Sequence, residues 1–142
     1  MIRRNIEFGE CMIDLNGNKL DITPDHKFAV NGLYTWYASI GEITLGGTYS
    51  FVGEREMDIF NSPEIQGDSY TRLDLSASWR SNNSHWKIEA LVKNATDEEW
   101  FNTRSVGTNS NQGTRYEYTK YIKYQGNPAN PRLYTVELQY NL

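Results

Sequence analysis

The sequence predicts an all-β fold: antiparallel up-and-down strands forming part of a transmembrane β-barrel. Three observations point there. The last ten residues, 133–142, place Tyr134, Val136, Leu138, Tyr140 and Leu142 on one face and Thr135, Glu137, Gln139 and Asn141 on the other. That period of two marks a strand with one apolar and one polar side, and ten residues is about the length a tilted strand needs to cross a bilayer. Charge segregates in the same way over five such segments. One face carries no charged residue; the other carries Glu42, Arg72, Asp74, Lys87, Glu89, Lys93 and Glu137. Any two-faced sheet does this, so the third observation discriminates better. The connections run short, long, short, very long, as in outer-membrane barrels with short periplasmic turns and long extracellular loops.

The bulk composition agrees. At 142 residues the chain allows one domain. An apolar fraction of 38% and a mean hydropathy of -0.69 are thin for a soluble core, but sufficient where only alternate strand residues must be apolar. Tyr 10 and Trp 4 suit interfacial belts. A net charge of -4 gives nucleic acid no footprint, and no apolar run is long enough for a membrane helix. The start, Met1-Ile-Arg-Arg-Asn-Ile-Glu, has a basic pair without a following apolar stretch. No signal peptide is predicted from it, which suggests a piece of a longer chain. The single Cys11 has no internal disulfide partner.

In chain order, Ile6 and Phe8 end an incoming strand, and Asp14-Leu-Asn-Gly-Asn-Lys is turn chemistry, since Asn-Gly takes positive φ readily. Pro24 marks a loop before the next strand. Strand 28–36 puts Phe28, Val30, Gly32, Tyr34 and Trp36 on one face; strand 42–51 follows a tight connection and puts Ile43, Leu45, Gly47, Tyr49 and Phe51 there. After a long polar loop, 53–69, strand 72–79 contributes Leu73, Leu75, Ala77 and Trp79. A tight turn, 81–84, leads to strand 86–93 with Trp86, Ile88, Ala90 and Val92. A very long segment, 94–132, precedes the closing strand. Trp36, Trp79 and Trp86 lie beside the short turns and Tyr49 and Phe51 approach a long loop, as two aromatic girdles would require.

The segment Asn94-Ala-Thr-Asp-Glu-Glu-Trp-Phe101 resembles a signature of the TonB-dependent outer-membrane receptors, in which an alternating strand runs into Asn-Leu-Thr-Asp and then an aromatic. Asn94, Thr96, Asp97 and Trp100 carry the match; Ala95 replaces the usual Leu. Asp14-Leu-Asn-Gly-Asn-Lys-Leu with Pro24-Asp-His-Lys-Phe28 resembles the family's lead-in to a late strand, and Gly126-Asn-Pro with Pro131-Arg132 resembles the lead-in to its last one. The resemblance implies that residues 1–142 are the C-terminal portion, about five or six strands, of a barrel of about 22. It also implies further partners: the remaining strands and a plug from a longer chain, a TonB energy-coupling complex acting through the N-terminal part, and outer-membrane lipid. The implied function is active uptake of a scarce nutrient such as siderophore-bound iron, cobalamin or a glycan, from the outer membrane of a Gram-negative bacterium. Tyr134, Val136, Leu138, Tyr140 and Leu142 are then the C-terminal signal read by the barrel-assembly machinery. Leu142 departs from the usual terminal aromatic, with Tyr140 two positions earlier. Residues 1–142 in isolation are not expected to transport anything.

No catalytic, metal or cofactor constellation stands out, and the chain is not expected to be an enzyme. His26, His85 and Cys11 lack zinc-ligand spacing. Glu98 and Glu99, read as neighbours on a strand, point to opposite faces. The run Arg115-Tyr-Glu-Tyr-Thr-Lys-Tyr-Ile-Lys-Tyr124 reads as a ligand-facing external loop. Tyr116, Tyr118, Tyr121 and Tyr124 offer flat surfaces and hydroxyls, and Arg115, Lys120 and Lys123 offer positive charge. The same tyrosines would also serve as cross-strand pairs of an exposed hairpin. Met57, Ile59 and Phe60 read as exposed apolar groups in the long loop. The alternative function is a soluble β-sandwich or small barrel acting as a binding module; a non-transporting barrel such as an adhesin anchor leaves the 94–101 segment unexplained.

Overall fold

A computed structural model describes residues 6–8, 11–109 and 121–142. Its strands are β1 (Ile6–Phe8), β2 (Cys11–Ile13), β3 (Lys27–Ala38), β4 (Gly41–Val52), β5 (Tyr70–Arg80), β6 (Trp86–Lys93), β7 (Phe101–Asn109), β8 (Tyr121–Pro128) and β9 (Leu133–Tyr140). No described helix is long and apolar enough to cross a membrane. The chain divides into two units. One comprises Met1–Asp25, Glu54–Asp68 and Phe101–Pro128; the other comprises His26–Gly53, Ser69–Trp100 and Ala129–Leu142.

The second unit is a five-stranded antiparallel sheet in the order β3-β4-β5-β6-β9. Its register confirms the faces read from alternation. One row runs Gly32, Gly47, Leu75, Val92 and Tyr134; another runs Trp36, Ile43, Trp79, Ile88 and Leu138. Among the described residues β3 and β9 pair with each other nowhere, so the sheet is open. A 12-residue strand such as β4 spans about 40 Å at ~3.4 Å per residue. Tilted by about 45°, it covers about 29 Å, close to the ~30 Å hydrocarbon thickness. The sheet holds almost no interior: Val52 is its one buried apolar residue among those described.

Glycine closes the β3–β4 connection. Gly41 has φ 134°, and a Cβ there would lie 2.0 Å from the Arg80 carbonyl oxygen. The β5–β6 turn closes through Ser81, whose N–H donates to the Trp86 carbonyl at 3.0 Å. Its hydroxyl donates to Asn83 Oδ1 at 2.7 Å.

The first unit is built from the other connections. β1 and β2 form a small hairpin, where a single incoming strand was expected. Arg55 and Gly67 exchange both backbone hydrogen bonds at 2.9 and 3.1 Å, and the Ile22 N–H donates to the Glu56 carbonyl at 2.7 Å. Pro63–Ile65 forms a single 3-10 turn that buries Ile65. Met57 is also buried rather than exposed; Gly67 lies so close to its methyl that a Cβ would approach it to 2.5 Å. Phe60 is exposed, as expected. β7 and β8 form a long antiparallel hairpin with an irregularity between Phe101 and Thr103. Gly126-Asn-Pro128 therefore belongs to β8, not to the lead-in of the last strand. Sequence alone missed this extent because residues 102–109 alternate no apolar face.

Candidate functional site

Three regions of the described structure bear on function. The first is the apolar face of the sheet. Leu75 is 42% exposed, Val136 74% and Tyr140 52%; Trp79 is half-buried. Phe28, Val30, Tyr34, Trp36, Leu45 and Leu138 on the same face are exposed as well. A continuous apolar surface of this extent marks contact with protein or lipid. Aromatic side chains flank it at both ends. At the short-turn end Trp86 packs on Tyr140 with centroids 4.7 Å apart, and the Trp79 indole N–H donates to the Ile40 carbonyl at 3.1 Å. At the long-connection end Phe28 stacks on Phe51 at 5.5 Å and lies 6.2 Å from Tyr49. The aromatics singled out in the sequence thus fall at the two ends of the sheet, with Phe28 and Tyr140 added.

The opposite face is polar and partly self-paired. Arg72 pairs with Asp74 at 2.9 Å and Lys87 with Glu89 at 2.7 Å, each two residues apart on one strand. Thr35 and Thr44 share a hydrogen bond at 3.1 Å, and Asn31 accepts one from Thr48. Among the described residues Glu42, Lys93 and Glu137 form no ion pair. Two cross-strand positions set like charges directly opposite: Arg80 with Lys87, and Glu89 with Glu137.

The second region is the turn after β6. Asn94 is 2% exposed and has φ 50°; Asn tolerates this left-handed conformation better than most residues. Its N–H donates to Asp74 Oδ1 at 3.0 Å. Its Nδ2 donates to the Glu98 carbonyl at 2.9 Å and the Asn130 carbonyl at 3.4 Å, and its Oδ1 accepts the Glu98 N–H at 3.0 Å. Asp97, also at positive φ, accepts the Arg132 N–H at 2.9 Å and pairs with its guanidinium at 3.2 Å. Arg132 Nη1 donates to the Ala95 carbonyl at 3.3 Å. The Ala129 N–H donates to the Trp100 carbonyl at 2.8 Å, and the Trp100 ring stacks on Tyr70 at 4.3 Å. Three of the four motif residues thus meet in one knot; Thr96 is exposed and takes no part.

Glu98 is not on a strand. Its carboxylate accepts from the Thr71 N–H and hydroxyl at 3.3 and 2.8 Å. Asp74, Thr71 and Glu98 were invisible as partners because their contacts cross 20 or more residues. The acceptors at Asn94 and Asp97, both residue types prone to positive φ, were the available signal.

The third region lies within the loop unit. Tyr124 is exposed on β8 and lines a cleft of about 390 Å³ with Glu64, Ile65, Phe101, Arg104 and Gly126. Arg104 lies over the Phe101 ring at 4.8 Å, donates to the Gln66 carbonyl at 2.8 Å and pairs with Asp68 at 2.9 Å. Its charge is therefore already committed. Of the other ligand-facing candidates, Tyr121 and Lys123 are placed on β8 by their backbone. Arg115, Tyr116, Tyr118 and Lys120 lie outside the described residues. In the same unit the Lys19 ammonium sits 2.6 Å from Asp25. The hydrogen bond to Asp25 is the main cause of a Lys19 pKa above its ordinary 10.5, with Asp25, Glu56 and Glu54 adding favourable charge.

Comparison with known proteins fits this geometry. A family model described as TonB dependent receptor-like, beta-barrel matches residues 12–95. The chain is similar to the ferric yersiniabactin uptake receptor FyuA from Yersinia pestis, with a TM-score of 0.70 and 15% sequence identity over 94% of this chain and 19% of that one. It is also similar to BauA, the ferric preacinetobactin receptor from Acinetobacter baumannii, with a TM-score of 0.62 and 16% identity over 89% of this chain and 16% of that one. No curated protein sequence matches it. The chain spans less than a fifth of either receptor's length, and at these identities the likeness is one of fold: an open section of the same kind of barrel. With more than half of its residues matched by the family model, the chain belongs to the TonB-dependent receptor β-barrel family.

Proposed function

We propose that this chain is part of an outer-membrane receptor for active uptake of a scarce nutrient, in the class of siderophore-bound iron, cobalamin or glycans. Its apolar face touches lipid and its polar face lines the lumen, towards a plug. The short turns face the periplasm and the long connections the outside. Energy comes from a TonB complex acting elsewhere on the receptor, and insertion depends on the barrel-assembly machinery reading Tyr134, Val136, Leu138, Tyr140 and Leu142. Residues 1–142 do not transport alone: a sheet with free edges is not tolerated in hydrocarbon. Tyr124, with Tyr121, Lys123 and the 115–120 run, contributes to the ligand surface, joined by Phe101.

One observation carries this reading: an exposed apolar face bounded by aromatics at both ends. A soluble sandwich would bury that face under a second layer. Single cysteines in a Cys11→Ser background test it on intact Gram-negative cells with a membrane-impermeant maleimide. Phe60→Cys, in a long connection, should label from outside, and Asn83→Cys, in a short turn, only after permeabilisation. Labelling in the reverse order would overturn the orientation. Deleting the gene should abolish growth on one limiting nutrient, and Tyr124→Ala with Phe101→Ala should weaken binding of that nutrient while leaving protein in the membrane.

A further inference from the structure

The pairing of β9 with β6 presents a conflict. Alternation settles which face points where, but a slip of two residues preserves it. Moving β9 so that Glu137 faces Lys87 would still set Val136 against Ile88 and Tyr134 against Ala90, apolar on apolar. It would also replace the like-charged Glu89–Glu137 pair by an opposite-charge pair. Directly opposed like charges destabilise a sheet and opposite charges stabilise it. Cross-strand charge pairing alone therefore favours the slipped register, although the slip would also set Arg132 against Val92 on the apolar face; the observed register holds Glu89 opposite Glu137 and Ile88 opposite Leu138.

Just beyond the last pair, Lys93 with Leu133, stands the knot around Asn94. It joins residues 94–100, which follow β6, to residues 129–132, which precede β9. Asp97 holds Arg132 by backbone and side chain, Asn94 reaches the Asn130 carbonyl, and Trp100 accepts from Ala129. A two-residue slip would carry Arg132 about 7 Å along the strand and break these contacts. The far side is anchored to β5 by Asp74 and Thr71, so the knot cannot simply travel with β9.

We propose that this knot is a register clamp: it holds the closing strand in the observed alignment against a charge preference for the slipped one, without help from the hairpin inserted between its two halves. The inserted β7–β8 segment is then free to vary in sequence and length while the sheet closes identically. This does not depend on the uptake reading, since it concerns only strand alignment.

Disulfide trapping in the full-length protein tests it, again with Cys11→Ser. Facing residues lie within disulfide reach and those offset by two do not. In the intact clamp, Leu91→Cys with Thr135→Cys should cross-link and Leu91→Cys with Leu133→Cys should not. With Asp97→Ala and Arg132→Ala added, the 91–133 product should become the major species, and Glu137→Gln should return the balance to 91–135. A clamp-deficient protein that still gives only the 91–135 product would overturn the proposal. If the clamp variant fails to insert, a second variant decides. Residues 101–128 are replaced by a short glycine turn with the clamp intact. Unchanged 91–135 cross-linking supports the clamp; its loss shows that the hairpin sets the register and refutes it.

Discussion

Leu75→Arg puts the lipid-facing assignment at risk most directly. Leu75 sits on β5, the middle strand of the sheet, in a row with Gly47 and Val92. On β4 the paired Gly47 lies six residues from Gly41 and five from Val52, so the row runs at mid-depth. Leu75 is 42% exposed on the apolar face. An arginine facing lipid at the midplane costs roughly 2–4 kcal/mol, falling to about 0–1 near the interfaces. At about 1.4 kcal/mol per tenfold, the folded population should fall by roughly 30- to 700-fold. Ser76→Arg, one residue along but on the polar face beside Gly46 and Leu91, should be near neutral. Ile40→Arg, in the exposed short turn, should cost about 1 kcal/mol or less. Urea titration of the full-length protein refolded into lipid vesicles reads all three. Equal costs for Leu75→Arg and Ser76→Arg, or no dependence on depth, would refute the reasoning.

Three further outcomes follow from single contacts. Gly41→Ala should destabilise the β3–β4 turn by about 2 kcal/mol or more, because φ is positive and the new Cβ meets the Arg80 carbonyl; the urea midpoint checks it. Glu137→Gln with the clamp intact should stabilise the sheet by roughly 0.2–1 kcal/mol, by removing the like charge opposite Glu89, with hydrogen exchange on β9 as the readout. Lys19 has a folded pKa raised above its unfolded value by Asp25, so its contribution is fully present below pH about 10.5. It is lost as pH rises through the higher folded value; Asp25→Asn should remove that contribution at neutral pH and, by lowering the Lys19 pKa, speed its amine modification at any pH below the folded value.

Much of the sheet was legible because its information is local. Phe28 to Trp36, Ile43 to Phe51 and Trp86 to Val92 state their faces by alternation alone, and the charges confirm them. The β7–β8 hairpin was legible only in part. Asn102, Thr103, Arg104 and Ser105 form no apolar stripe, and their strand exists by pairing with residues about twenty positions away. The Asn94 motif was visible as a string of residues, but its purpose was not, because Arg132 and Thr71 reach it from far along the chain.

By itself the sequence determined which side of each ribbon is greasy, where the aromatic belts fall and which ends carry the long connections. A side chain's face depends only on the parity of its position. The tertiary structure decided that β9 lies beside β6 across a long insertion, and in which of several equally apolar alignments. Those choices rest on contacts between distant residues, which parity cannot encode.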